Sequence, residues 1–210
     1  MADTCKRIKT MMMRSPKLIF TLLTLAIPLI AWTKPDPNAA ALKFNAKIEQ
    51  ALSYCQANKM NTRYCIMVDM SIHCGKNRLF VYDFRQKKKV FEGLCAHGVG
   101  GGSGPNKVVY SNEVNSNCTS LGKYKLGIRS YSRFGIHVHY KMHGLESSNS
   151  NAFKRDVVLH SYNPVPAFET YPAPMYGVSA GCPVVANSTM RKIDKLLKTG
   201  QKNMLLWIYE

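Results

Sequence analysis

A chain of 210 residues that is 46% hydrophobic and 20% charged can bury one substantial core and is too short for two independent domains. Its 29 Lys and Arg against 12 Asp and Glu give a formal charge of +17, a field that concentrates polyanions and specifies no chemistry. Repeats and low-complexity segments are absent.

The N-terminus stands outside the fold. Lys6, Arg7, Lys9, Arg14 and Lys17 precede an apolar run from Leu18 to Trp32, which is short for a spanning helix and interrupted by Pro28. Small residues follow from Ala39 to Ala41. Residues 1–41 therefore read as an export signal, with an uncleaved membrane anchor as the other reading, and membrane contact is expected only there. The remaining chain, 42–210, reads as a single domain that keeps a charge of about +13. Such charge usually suggests nucleic acid; in an exported protein it points instead to anionic envelope polymers, and no nucleic acid partner is expected.

In chain order, Phe44, Ile48, Leu52 and Cys55 repeat at helical spacing over about four turns. From Tyr64 the pattern turns to short aliphatic and aromatic runs, "YCIMVDMS", "RLFVYDF" and "KVFEGLCAHG", separated by turn residues, which predict an antiparallel meander. Gly98 to Asn106, "GVGGGSGPN", lacks the ending of a phosphate-binding loop and reads as a flexible surface loop. Further strands are expected at "GKYKLGIRS", "GIHVHYKMHG" and "DVVLHS", with a short helix or turn at "SNSNAFKR". After Cys182 a helix capped by Asn187 or Ser188 runs to a stop at Gly200, with Met190, Ile193, Leu196 and Leu197 on one face; "NMLLWIY" is the last strand. The expected class is mainly β with α: a curled or sandwiched antiparallel sheet covered by two helices.

Seven cysteines occur, one of them, Cys5, in the export segment. Outside the reducing cytosol disulfides persist, and the absence of a CxxC pair argues against a zinc ribbon or a thioredoxin-type site. If Cys182 is a free thiol, then Cys55, Cys65, Cys74, Cys95 and Cys118 remain, an odd number that cannot all pair within one chain.

Cys182 follows "SAG". A preceding glycine lets the chain turn sharply, leaving a thiol exposed with backbone N–H groups free to stabilise an oxyanion. A nearby helix N-terminus would favour the thiolate. Of six histidines, His160 is the best placed base, because it ends the strand "DVVLH"; the four-proline stretch between it and Cys182 suits a wall or lid. Residue type alone favours buried packing for Cys182, or half a disulfide in a non-catalytic wall-binding protein, over a catalytic thiol. A further alternative is His137, His139 and His143, expected on one strand face as a zinc site for a metal hydrolase.

The segment "LHSYNPVPAFETYPAPMYGVSAGCPVV" resembles the histidine, loop, [Ser/Thr]-x-Gly-Cys signature of the YkuD-type L,D-transpeptidases, and specifically the branch called murein L,D-transpeptidase catalytic domain proteins. "VDMSIHCGKNRLFVYDF", "CTSLGKYKLG", "KMHGLESSNSNAFKRDVVLHS" and "LLWIY" extend the likeness over nearly all of Tyr64 to Tyr209. The resemblance implies the curled antiparallel fold of that family, Cys182 as nucleophile, His160 as base, and Gly181 with Cys182 as oxyanion donors. It further implies that His143, Ser161, Ser179 and Arg191 serve the substrate groove, the backbone of Ser161 also orienting the imidazole. Peptidoglycan stem peptides would be the substrate and the periplasm or cell envelope the location, and no metal or other cofactor would be required. Transfer to an amine, or to water as in an L,D-carboxypeptidase, would complete the reaction. Two positions depart from the pattern: Ala180 stands where many relatives have a second histidine, and Val184 stands where many carry Arg or Asn. Recognition of the stem carboxylate must then come from Arg191 or a basic residue of the strands.

Overall fold

The computed structural model describes residues 37–104, 107–175, 179–199 and 203–210. The segment read as an export signal, residues 1–41, thus lies outside the described residues apart from its last few positions. Those belong to the first helix, α1 (Pro37–Ala57), so the expected boundary at 41/42 falls inside a helix. The helix buries Ile48, Ala51 and Cys55, spaced three and four apart as one stripe requires. Removing a side chain such as Ile48 from water contributes about 2 kcal/mol.

Nine strands follow: β1 (Tyr64–Asp69), β2 (Leu79–Asp83), β3 (Lys88–Gly93), β4 (Cys95–Ala96), β5 (Gly122–Tyr131), β6 (Val138–Gly144), β7 (Val158–Ser161), β8 (Val184–Val185) and β9 (Leu205–Tyr209). Between β8 and β9 lies α2 (Asn187–Lys198). They form one sheet in the order β3-β2-β1-β9-β5-β6-β7-β8-β4. The expected meander holds for β1 to β3, but β9 inserts between β1 and β5 and runs parallel to β1, and β8 runs parallel to β7. The sheet is therefore mixed, mostly antiparallel, and the class is mainly β with some α, as expected.

β3 and β4 stand at opposite ends of this order, yet only Leu94 separates them in sequence. The run "KVFEGLCAHG", expected as one strand, is thus two, and its two halves can meet only if the sheet curls almost into a barrel. Arg78 straddles the join: its backbone N–H donates to the Gly93 carbonyl and its Nε to the Cys95 carbonyl at 2.7 Å. Strand alternation sorts the two faces. Ile66, Val68, Leu79, Val81, Tyr124, Tyr140 and Leu159 fill the concave interior with Met190 and Ile193 of α2. Cys65, Met67, Phe80, Leu205 and Trp207 point outward beneath α1.

Two local expectations change. The N-cap of α2 is Ala186, which provides no side-chain cap, while the Asn187 side chain donates to Asn163 Oδ1. The glycine run is a loop fastened at its start, while Gly102 and Gly104 face open space as a surface loop would. Gly98 is buried, and a Cβ there would lie 2.2 Å from the Asn117 carbonyl and 2.9 Å from the Gly181 backbone.

Candidate active site

Parallel pairing of β7 and β8 sets His160 opposite Val184, which brings the chain two residues earlier, at Cys182, alongside Val158. The contact follows: the Val158 N–H donates to Cys182 Sγ at 3.4 Å. His160 and Val158 lie on the same outer face of β7, and both line, with Cys182, a cleft of about 610 Å³. The His160 ring is held from behind, Nδ1 lying 3.0 Å from the Ser161 carbonyl, which assigns the proton to Nδ1 and leaves Nε2 free to accept.

Burial pushes the Cys182 thiol above its ordinary pKa; the Val158 N–H and the charges of Arg155 and Lys141 work the other way. The expectation that the helix N-terminus favours the thiolate is thus outweighed by desolvation. Burial also lowers the pKa of His160, aided by His139 opposite it on β6. Both shifts favour an uncharged thiol and an uncharged imidazole at rest.

The turn before Cys182 is built by Gly181 and Ser179. Gly181 has φ +112 and is buried; a Cβ there would meet the Cys118 carbonyl at 2.5 Å. Only glycine fits this turn. Ser179 Oγ donates to the Cys182 carbonyl at 2.7 Å and accepts the Gly181 N–H at 3.3 Å, and its own carbonyl accepts the Val99 N–H. Its side chain thus holds the turn, although Ser179 also lines the cleft.

The other expected residues are placed differently. Ser161 is fully buried, its Oγ accepting the Ile136 N–H, so the side chain serves packing while its carbonyl orients His160. Arg191 is exposed on α2 and His143 is stacked on Phe153, ring centroids 5.3 Å apart; neither lines the cleft. His137, expected with His139 and His143 on one strand face, instead sits in the β5–β6 turn at φ +61, stacked on Tyr131. His139 faces the cleft while His143 is engaged with Phe153, and among the described residues no three His, Cys, Asp or Glu side chains gather to hold a metal ion. Six cysteines, from Cys55 to Cys182, are free thiols in the structure.

Sequence reading missed the wall opposite the thiol. The tip of the β5–β6 hairpin supplies Tyr131, Arg133 and Phe134; the Phe134 ring lies 5.6 Å from His160 and edge-on to Tyr162. It missed Arg155 too, which donates to the carbonyls of Ser111 and Cys118 and to Ser120 Oγ, fixing the shelf on which Gly181 rests. No local pattern marks these residues; exposed aromatics beside "SR" in a turn are the one signal available.

No curated protein matches the chain. Among solved structures it is similar to Bd1075 of Bdellovibrio bacteriovorus, with 19% identity, a TM-score of 0.45 and coverage of 70% of this chain and 48% of that one. It is similar also to an L,D-transpeptidase of Xylanimonas cellulosilytica, at 13% identity and a TM-score of 0.39 over 70% and 60% of the two chains. A third is the helical cell shape determining protein Pgp2 of Campylobacter jejuni, at 13% identity and a TM-score of 0.45 over 70% and 47%. The chain thus spans about half to three-fifths of the length of these structures. The family model for the L,D-transpeptidase catalytic domain matches residues 36–209, nearly the whole described chain, and the protein belongs to that family.

Proposed function

We propose that the protein is an exported cysteine acyltransferase acting on peptidoglycan stem peptides in the periplasm or cell envelope. The observation that carries this is the register of β7 and β8, which sets Cys182 and His160 on one wall of a cleft with the imidazole already oriented. The basic, apolar and small-residue N-terminus supports export.

In the first half-reaction His160 Nε2 takes the Cys182 proton as sulfur attacks the carbonyl joining the third residue of the stem to its terminal D-residue. A C–S bond forms and, on collapse of the tetrahedral intermediate, the C–N bond breaks; the D-amino acid leaves with the proton returned by His160. The Gly181 and Cys182 N–H groups are the candidate oxyanion donors, and the long Gly181 bond to Ser179 Oγ is easily exchanged for one to an anion. In the second half-reaction an amine of a neighbouring stem attacks the thioester, His160 removes its proton, and the thiol is restored. The thioester conserves the energy of the peptide bond, so the transfer needs no nucleotide.

Purified protein incubated with tetrapeptide muropeptides is expected to carry an acyl group on Cys182 by intact-mass measurement and to yield cross-linked dimers. Tripeptides alone would assign water as the acceptor and make the protein an L,D-carboxypeptidase. Turnover retained by Cys182→Ala would overturn the mechanism.

A further inference from the structure

Away from the cleft, and sharing none of its lining, the outer face of the sheet holds a second groove of about 530 Å³ between the first turns of α1 and the β2–β3 hairpin. Its floor is aromatic: Phe44 of α1 meets Phe80 and Tyr82 of β2 edge-on, at 5.3 and 6.0 Å between centroids. Its rim is cationic, with Lys43 on one side and Lys87, Lys88 and Lys89 on the other. Lys43 is answered by Asp69 and Ser71, and Lys89, lying over the Phe80 ring at 3.9 Å, is answered by Glu92. Lys87 and Lys88 have neither ion pair nor hydrogen bond among the described residues.

We infer that this groove binds a carboxylate-bearing glycan strand, holding the enzyme on the polymer while the cleft works on the stems. Pyranose rings present C–H faces that pack on aromatic side chains, and unpaired ammonium groups at the rim match carboxylates spaced along such a chain. Charge complementarity alone would suit any polyanion; the choice of a glycan rests on the function proposed above. The hairpin turn positions the cations: Lys87 sits at φ +50, and β3 starts with Lys88 and Lys89 side by side.

The test is co-sedimentation of the purified protein with intact sacculi over a range of salt, beside turnover of a soluble tetrapeptide. Lys87→Gln with Lys88→Gln is expected to weaken sacculus binding about fivefold or more at low salt and to flatten its salt dependence, with soluble turnover unchanged. Phe44→Leu, which keeps an apolar floor without a ring, is expected to weaken binding at every salt concentration, its folding checked by thermal melting. Sacculus binding unaffected by both variants overturns the proposal, as does stronger binding to single-stranded oligonucleotides or to vesicles rich in anionic lipid than to sacculi. Should the soluble peptide not be turned over by the wild type, the reading of the cleft fails while the sedimentation result still decides the groove.

Discussion

At the scale of single residues, the cleft is a division of labour between groups that react and groups that hold them. Gly181 belongs to the second kind. Gly181→Ala places a methyl group 2.5 Å from the Cys118 carbonyl at a φ of +112, so the turn must move and the thiol with it. The expected outcome is a loss of about 2 kcal/mol in stability and of most acylation of Cys182, read by thermal melting and intact mass on the same sample. Arg133 is of neither kind: it lines the cleft where substrate would lie. It is the only Lys or Arg lining the cleft among the described residues, is exposed, and has no ion pair there, so under the proposed function it is the candidate for the carboxylate role expected of Arg191, which does not line the cleft. Arg133→Ala is expected to raise KM about tenfold on stems with a free terminal carboxylate, with kcat nearly unchanged. Amidating that carboxylate should erase the difference between variant and wild type.

At the scale of elements, α2 is fastened to the sheet by one carboxylate. Asp194 accepts from Arg129 Nε of β5 at 2.7 Å, from the Tyr140 hydroxyl of β6 at 2.8 Å and from Lys198 at 3.0 Å. Burial pushes its pKa up, but these donors outweigh that and hold it at about 2. Its contribution is therefore present above the ordinary carboxylate pKa of about 4 and lost as pH falls towards 2. Asp194→Asn should cost about 2 kcal/mol and lower Tm by roughly 4–8 °C at neutral pH, measured by calorimetry. Elements of this kind were largely legible in sequence. The stripe of α1, the strands rich in Val, Ile, Tyr and Phe, and Met190 with Ile193 in α2 all carry their own periodicity. The two-residue strands β4 and β8 carry none, because so short a pairing is defined only by its neighbours. Cys182, Gly181 and His160 stood out because their chemistry is local to a motif. Arg133 and Phe134 did not, since what places them beside the thiol is a hairpin folding back over β7.

At the scale of the whole molecule, closure of the sheet depends on a buried cation. Arg78 is 1% exposed and forms no ion pair among the described residues; Nη2 donates to His97 Nδ1 at 2.8 Å and Nη1 to the Ile72 carbonyl. Burial, and secondarily the charge of Arg78, lowers the pKa of His97 to about 4, so in the folded protein this ring stays neutral and accepts the bond. The unfolded chain takes up a proton near pH 6.5 that the folded chain refuses until about 4. Stability is thus full above the unfolded value and declines as pH falls through that window, by about 3 kcal/mol in all. Melting curves from pH 7 to pH 4 should show this loss in the wild type and a much smaller one in His97→Gln. The window is separate from that of Asp194, which opens only below pH 4.

The near-closure of the sheet has a further consequence for behaviour in concentrated solution. β3 stands at one end of the strand order and pairs only with β2, so its other edge presents unpaired backbone N–H and C=O groups, with Val90 46% exposed upon it. Such a rim is a template on which another copy could add a strand, and repeated addition is how soluble β proteins precipitate. Lys88 and Lys89 at its start would have to be stripped of water and brought against their counterparts in any such stack, which makes the protein's own charge its guard against self-association.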